Sequence, residues 1–489
     1  MRKIILTLSL WLLSNLSTQA QLSSQGLLED LSILRQALEK MHPGLYKYTD
    51  TASIASAEKI LANELSVDQS ILEAYGHFSK FLAKIQCGHT YANFWNQTGE
   101  LEDIFVNANN KVPFTFRIIN GEIYIYQDIS NTNQLNKGDR LLSISGKSIS
   151  DLLNDLLQYV KADGNNNAKR LFDLQVFGLN NYEAFDLYLP LVLEMENEME
   201  FAFEDYHTKK VKHLKLNLIS RQERYEQIGE KYGNEIESYD DYWNFKYLDD
   251  RTAYLQLGTF VTWNMSLKWK AYLNKVFKEL KQKDIPHLII DIRGNGGGNA
   301  DVQKHLYAKL TKKNAKVGPF QQTLRMNYIP EELRHHLYLR LKRYFNLTSS
   351  TVPIDENFYT FKKNGLINGT RVKEEGAYQG EVYLLADASN SSGTYFLINY
   401  LKNNDLATII GQTSGGNQQG ITAGQMAILT LPNSKIAVDI PLIGYYPIDQ
   451  KPDAGIAPDV FVPFTVDDLV ANKDVELEKA LELIQNKKP

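Results

Sequence analysis

Between Leu22 and about Phe94, apolar residues recur three and four positions apart, through Leu27, Leu28, Leu31, Leu34 and Leu38 and again through Ile71, Tyr75, Phe78 and Leu82. That spacing lays an apolar stripe along one side of a helix, so residues 21–108 are predicted to form a helical amino-terminal domain. His42-Pro43-Gly44 ends the first run, because proline disfavours helix in the residue before it and glycine favours the turn. From Lys111 the pattern changes to alternation. Val112 to Ile118 and Ile123 to Tyr126 read as strands joined by Asn120-Gly121, a strong hairpin signal. A helix is expected near Ser150 to Val160, and Glu200 to Asp205 and Val211 to Leu218 are strand-like, which makes residues 109–220 a β-rich module.

Beyond about Asp240 strands and helices alternate. Thr252 to Leu257 is followed by a helix from Ser266 to Lys281 and then by the continuous apolar run His287 to Ile292. Strands apolar on both faces and separated by helices are the mark of a covered parallel sheet, so an α/β domain is expected over residues 240–470. Its pattern breaks between about Lys312 and Gly380, a stretch rich in Arg, Tyr and His, which is expected to be an insertion, either overhanging the site or a solvated surface excursion. The pattern resumes with the strand Val382 to Ala386, a helix after Ser392 and the strand Ala407 to Ile410, and a last helix is expected over 471–489.

At 489 residues the chain exceeds what one core supports, and 43% hydrophobic with 23% charged residues is ordinary globular usage. A net charge of −5 supplies no basic field for phosphates, so nucleic acid is not an expected partner. Arg2-Lys3, the apolar run Ile4 to Leu13 and the small residues Ser17-Thr18-Gln19-Ala20 read as a signal peptide over 1–20, which predicts a periplasmic or secreted protein without an integral span. Cys87 is the only cysteine, so no internal disulfide forms. The nine histidines show no HExxH pattern, and neither a metal nor a cofactor is expected. No convincing carboxylate pair suggests glycan cleavage.

Three separated segments carry chemistry. The strand Ile289 to Ile292 runs into Arg293-Gly294-Asn295-Gly296-Gly297-Gly298, where backbone amides can approach a ligand without Cβ interference, as an oxyanion hole or a phosphate cradle requires. The phosphate reading lacks GK[ST]. Next, Val382 to Ala386 passes through Asp387-Ala388-Ser389-Asn390-Ser391-Ser392-Gly393 into a helix, so a serine meets unpaired amides and the positive end of the helix dipole; helix capping explains such serines equally well. Finally, a helix ending at Gly88 presents His89, whose imidazole can move a proton near neutrality; a lone histidine there also serves as a cap or a packing residue.

Taken in order, DIRGNGGG, the strand-turn-Ser392-helix segment, Ala407 to Gly416 and Gly455-Ile456-Ala457-Pro458-Asp459-Val460 resemble the catalytic domain of C-terminal-processing (tail-specific) serine peptidases. Gly88-His89-Thr90-Tyr91 resembles the segment that carries the catalytic histidine in their tricorn-like branch. The stretch Gly138-Asp139-Arg140-Leu141-Leu142-Ser143-Ile144-Ser145-Gly146 ahead of a helix is similar to part of a PDZ domain, although an ordinary hairpin and helix fit it too. The resemblance implies a crotonase-like (ClpP/crotonase) catalytic domain. It implies Ser392 as nucleophile, with Ser391 as the fallback, His89 as general base, and an oxyanion hole from Gly393 with Gly296 or Gly297. Asp291 and Arg293 would hold the turn.

Three positions depart from the family. No lysine stands in Gly415-Gly416-Asn417-Gln418, where Ser-Lys enzymes carry theirs; Gly88 replaces the serine that precedes the histidine; and Tyr395 stands about where many members have a glutamate. Asp453, just before Gly455, is the candidate acidic group. The expected activity is peptide-bond hydrolysis through an acyl-enzyme on a peptide or protein substrate, with carboxyl-terminal recognition by the PDZ-like module. A non-catalytic protein of the same fold, binding a peptide or a hydrophobic ligand, is the alternative.

Overall fold

The computed structural model describes residues 21–178, 182–233, 236–371 and 376–486; the leader expected over 1–20 lies outside the described residues. Three helices open the chain, Ser24–Met41, Thr51–Glu64 and Ile71–Lys84, each started by a side chain that accepts a first-turn amide: Ser23 from Gly26, Asp50 from Ser53 and Ser70 from Glu73. The first stops at His42-Pro43, and its Leu27, Leu31, Leu34 and Leu38 are buried on one face.

The hairpin Phe114–Ile119 and Glu122–Asp128 turns at Asn120 and Gly121, both at positive φ (53° and 83°), as a two-residue type I′ turn demands. With Arg140–Ile144, Glu198–Glu204 and Val211–Asn217 it makes an antiparallel sheet, against which the helix Ile149–Leu156 packs Leu152, Leu153 and Leu156.

A second sheet has the strand order Val460–Phe461, Thr408–Gly411, Glu381–Ala386, His287–Asp291, Thr252–Leu257, Trp243–Tyr247, parallel except for its last pair. Alternation decides its two cores. Leu288, Ile290, Leu384 and Ala386 pack with the helices Trp269–Gln282, Ala300–Leu310 and Ser392–Asn403. Ile289, Tyr383, Leu385 and Ile410 face Ala480 and Ile484 of the final helix Val475–Asn486.

The stretch from Lys312 to Gly380 departs from expectation. Ala315–Thr323, Leu337–Leu339 and Leu366–Arg371 join the long hairpin Ile421–Thr430/Ala437–Pro447 in a five-stranded antiparallel sheet. Leu324, Met326, Ile329 and Leu333 are buried in one core with the amino-terminal helices and the first sheet, so the part before about residue 340 is packed and not a solvated excursion, whereas residues 340–369 are mostly exposed. Ala315–Thr323 and the three-residue Leu337–Leu339 pair with the long hairpin about a hundred positions later, and such tertiary pairing leaves no local period. Among the described residues no helix is long and apolar enough to cross a membrane.

Candidate active site

Three turns leave the parallel sheet side by side at its carboxyl edge, where open α/β sheets bind ligands. They follow Asp291, Ala386 and Gly411, and parallel pairing sets their height, with Leu385 opposite Asp291 and Ala386 opposite Gly411. Asn390, fully buried, fastens all three. Its Nδ2 donates to the carbonyls of Ile292 (2.6 Å) and Asn295 (3.0 Å), while its own carbonyl accepts the amides of Gly415 (2.8 Å) and Gly416 (3.2 Å). Thr394 Oγ1 adds a bond to the Asn295 carbonyl at 2.9 Å.

Ser392 stands at the first residue of the twelve-residue helix with φ +50°, a left-handed conformation that costs a non-glycine residue about 1–3 kcal/mol. The positive end of the helix dipole faces this residue, while the Thr394 and Tyr395 amides bond the Ser391 carbonyl (3.1 and 3.4 Å). Ser391 instead spends its hydroxyl on the Gly296 carbonyl (3.2 Å), which favours Ser392 of the two. Gly297 lies against the serine: a Cβ there would come within 2.8 Å of both Gly393 N and Ser392 Cβ, and its φ is +105°, so only glycine fits. Its amide is donated to Asn295 Oδ1 (2.9 Å). Of the three glycines expected to supply oxyanion donors, Gly297 has its amide committed and provides clearance, which leaves Gly393 and Gly296 as the candidates.

His89 comes from the other end of the chain, yet it lies on the continuation of the same strip. Tyr91 pairs with Asp439 of the long hairpin (Asp439 N to Tyr91 O, 3.0 Å), Thr90 Oγ1 is bonded to buried His42 Nε2 (2.8 Å), and Cys87 Sγ points at the Thr422 carbonyl (3.8 Å). Thr422 lies six residues beyond Gly416. A loop that the sequence reading passed over, 163–166, joins the two ends. Asp163 Oδ1 accepts the Gly88 amide (2.9 Å) and Gly164 N donates to the Gln86 carbonyl (2.9 Å). On the opposite side, Asn166 Nδ2 donates to the carbonyls of Ser414 (2.9 Å) and Gly416 (2.8 Å), and Asn417 Nδ2 donates to the Asp163 carbonyl (3.0 Å). The residues that present the imidazole and those beneath the serine are thus clamped to one ribbon, Ser414 to Thr422.

Burial, then the cations Lys161 and Lys169, lower the His89 pKa to about 3, against an opposing interaction with the Thr422 backbone; the imidazole is neutral at physiological pH. Its Nδ1 is buried with no hydrogen-bond partner among the described residues. Lys161 lies over the rings of Tyr91 (4.4 Å) and Tyr182 (4.8 Å), and Lys169 is paired with Asp173 while its stem lies against Gly415. Asp163 is raised to about 6, mainly by burial, which the Gly88 amide and nearby cations oppose. Burial also raises the Cys87 thiol to about 12, so it is an inert packing group.

Asp453 is not brought to the imidazole: its carboxylate accepts from Asn165 N (3.1 Å), Asn165 Nδ2 (2.7 Å) and Asn417 Nδ2 (2.6 Å), and these donors commit it to bracing the 163–166 loop. Asp291 and Arg293 lie behind the turn in an ion network, with Arg293 bonded to Asp291 (2.6 Å), Asp474 (2.6 Å) and Glu476 (3.0 Å). Tyr395 is buried against Gly416. The bracing residues Asp163, Asn166 and Asn390 escaped the sequence reading because Asp-Gly-Asn-Asn and Ser-Asn-Ser read only as turns, and Asn417 was noted only as standing where a lysine is absent. Among the described residues, no cluster of His, Cys, Asp and Glu is arranged to hold a metal ion.

Residues 251–462 match peptidase family S41. Mature CPAF complexed with lactacystin is similar in structure over 94% of this chain and 97% of its own, at 14% identity and a TM-score of 0.64. A further structure of mature CPAF aligns over 95% and 99%, at 14% identity and a TM-score of 0.61. The photosystem II D1 C-terminal processing protease aligns over 92% and 98%, at 14% identity and a TM-score of 0.43. At such identity the likeness to mature CPAF shows a common fold. No curated protein matches the chain.

Proposed function

We propose that the chain, whose residues 251–462 match peptidase family S41, hydrolyses peptide bonds through an acyl-enzyme on Ser392 with His89 as its base. The observation that carries this reading is Ser392, held at positive φ on a helix amino terminus with Gly297 packed against it; the Gly393 and Gly296 amides are its proposed oxyanion donors. Neutral His89 takes the hydroxyl proton as Oγ attacks the carbonyl carbon. The oxyanion forms between the two amides, each worth roughly 3–4 kcal/mol in the transition state. Imidazolium then protonates the leaving amine, and water releases the acyl group by the same route. A base lowered to about 3 is weak alone, and the developing oxyanion is the charge that offsets burial and the two cations during transfer.

The leader-like residues 1–20 support export, and the antiparallel sheet that includes Arg140–Ile144 supports a PDZ-like capture of substrate carboxyl termini by strand addition. The fold, with strands flanked by helices on both faces, supports a crotonase-like catalytic domain. A binding protein that has lost catalysis is the second reading, favoured by the unpartnered His89 Nδ1 and the absence of lysine from 415–418.

The test compares wild type with Ser392→Ala. Wild type is expected to cleave peptides, faster with a free than an amidated carboxyl terminus, and to react with a fluorophosphonate at residue 392; the variant should lose at least about 1000-fold in kcat. A wild type that binds peptides without cleaving them or taking the label supports the second reading.

A further inference from the structure

We infer that Asp163 is the positioning residue for His89: its carboxylate holds the backbone that presents the imidazole, in the space a glycine at 88 leaves open. This rests on the reading of His89 as the base for Ser392. Oδ1 accepts the Gly88 amide at 2.9 Å, one residue before the histidine. Oδ2 fills the place of a side chain at 88, since a Cβ built there would lie 2.7 Å from it. Gly88 is not at positive φ, so its requirement for glycine is one of room and not of conformation. A buried carboxylate is costly unless partnered, and Asp163, only 2% exposed, has Lys161, Lys169 and Arg170 as charged neighbours.

The hold reaches both ends of the site. Gly164 N fixes the Gln86 carbonyl, Arg170 fixes the Gly164 carbonyl (2.9 Å), and the Asp163 carbonyl accepts from Asn417 on the ribbon beneath the serine turn. A carboxylate that only filled a void would not be tied to Gly88 on one side and, through its own backbone, to Asn417 on the other. Loss of the acceptor frees the Gly88 peptide and lets the imidazole drift from the hydroxyl, and a displacement of about 1 Å at a reacting group can cost about 100-fold in rate.

The experiment compares Asp163→Ala, Asp163→Asn, Gly88→Ser and the double variant Gly88→Ser/Asp163→Ala in the full-length protein. Peptide kinetics, fluorophosphonate labelling of Ser392, thermal unfolding and the ring resonances of labelled His89 are the readouts. Asp163→Ala is expected to lose about 100-fold in kcat with KM nearly unchanged, to label slowly, and to show a broadened or split His89 resonance. Asp163→Asn, which keeps Oδ1 as an acceptor, should retain most of kcat and a single sharp resonance. Gly88→Ser drives a side chain into the carboxylate and should lower kcat. In the double variant the serine hydroxyl enters the vacated space and should restore part of it.

The inference is overturned if Asp163→Ala keeps wild-type kcat and resonance, or if Asn is no better than Ala at equal melting temperature. Should Asp163→Ala fail to fold, Gly88→Ser decides: full activity with an unmoved resonance overturns the inference. If wild type neither cleaves nor labels, the reading of Ser392 and His89 has failed, whereas the His89 resonance still reports whether Asp163 holds the segment.

Discussion

At the residue scale the proposed chemistry turns on keeping His89 neutral. Lys161 and Lys169 disfavour the imidazolium, and Lys161 also lowers the Asp163 pKa against its burial. Lys161→Met keeps most of the stem over Tyr91 and removes the charge, so the His89 pKa is expected to rise from about 3. The acid limb of kcat/KM should then move to higher pH, measured from below pH 3 up to pH 8; a limb that stays in place means that Lys161 does not act on the base. Ser392 and His89 could be singled out as candidates in the sequence because a serine after a strand and a histidine after a helix-ending glycine stand in motifs of fixed order. Asp163 was not. Nothing local distinguishes it from any turn aspartate, and only folding reveals that its carboxylate occupies the place of a side chain at 88.

At the scale of elements, the site is a product of strand ends. The buried runs His287–Asp291 and Glu381–Ala386 were readable as continuous apolar stretches, and Asn120-Gly121 announced its hairpin. Leu337–Leu339 and Thr351–Pro353 were hidden because three-residue strands carry too little periodicity, and the partner of Leu337–Leu339 lies far along the chain. Arg293 shows how one element depends on another: it ties the turn after Asp291 to Asp474 and Glu476, the latter in the final helix. Removing one partner of a largely buried ion network costs roughly 3 kcal/mol. Arg293→Met is therefore expected to lose about that much in urea unfolding and to speed amide exchange in Val475–Asn486 while other helices keep their protection. Uniform acceleration across the protein contradicts a local clamp.

For the molecule as a whole, buried titratable groups set opposing acid responses. His42 and His89 are both held down to about 3, so below pH 6.5 the unfolded chain binds protons that the fold does not, and their contribution to stability falls as pH drops from 6.5 towards 3. Asp163 and Asp439 are raised to about 6, so theirs is fully present at low pH and is lost as pH rises through 6. His42→Gln, which retains a polar group for Thr90, removes one histidine from the balance. Its unfolding free energy between pH 4 and 6 should fall with acid less steeply than wild type, by at most about 1.4 kcal/mol per pH unit; an unchanged slope shows that His42 is not held neutral. The parallel register carries a last consequence. Since Asp291 lies opposite Leu385 and Gly411 opposite Ala386, a slip of one residue would shift one turn by about 3.3 Å along its strand and reverse every side chain between the two faces of the sheet. The two apolar cores therefore act as a gauge: the same leucines and isoleucines that keep water out also set how far the serine projects.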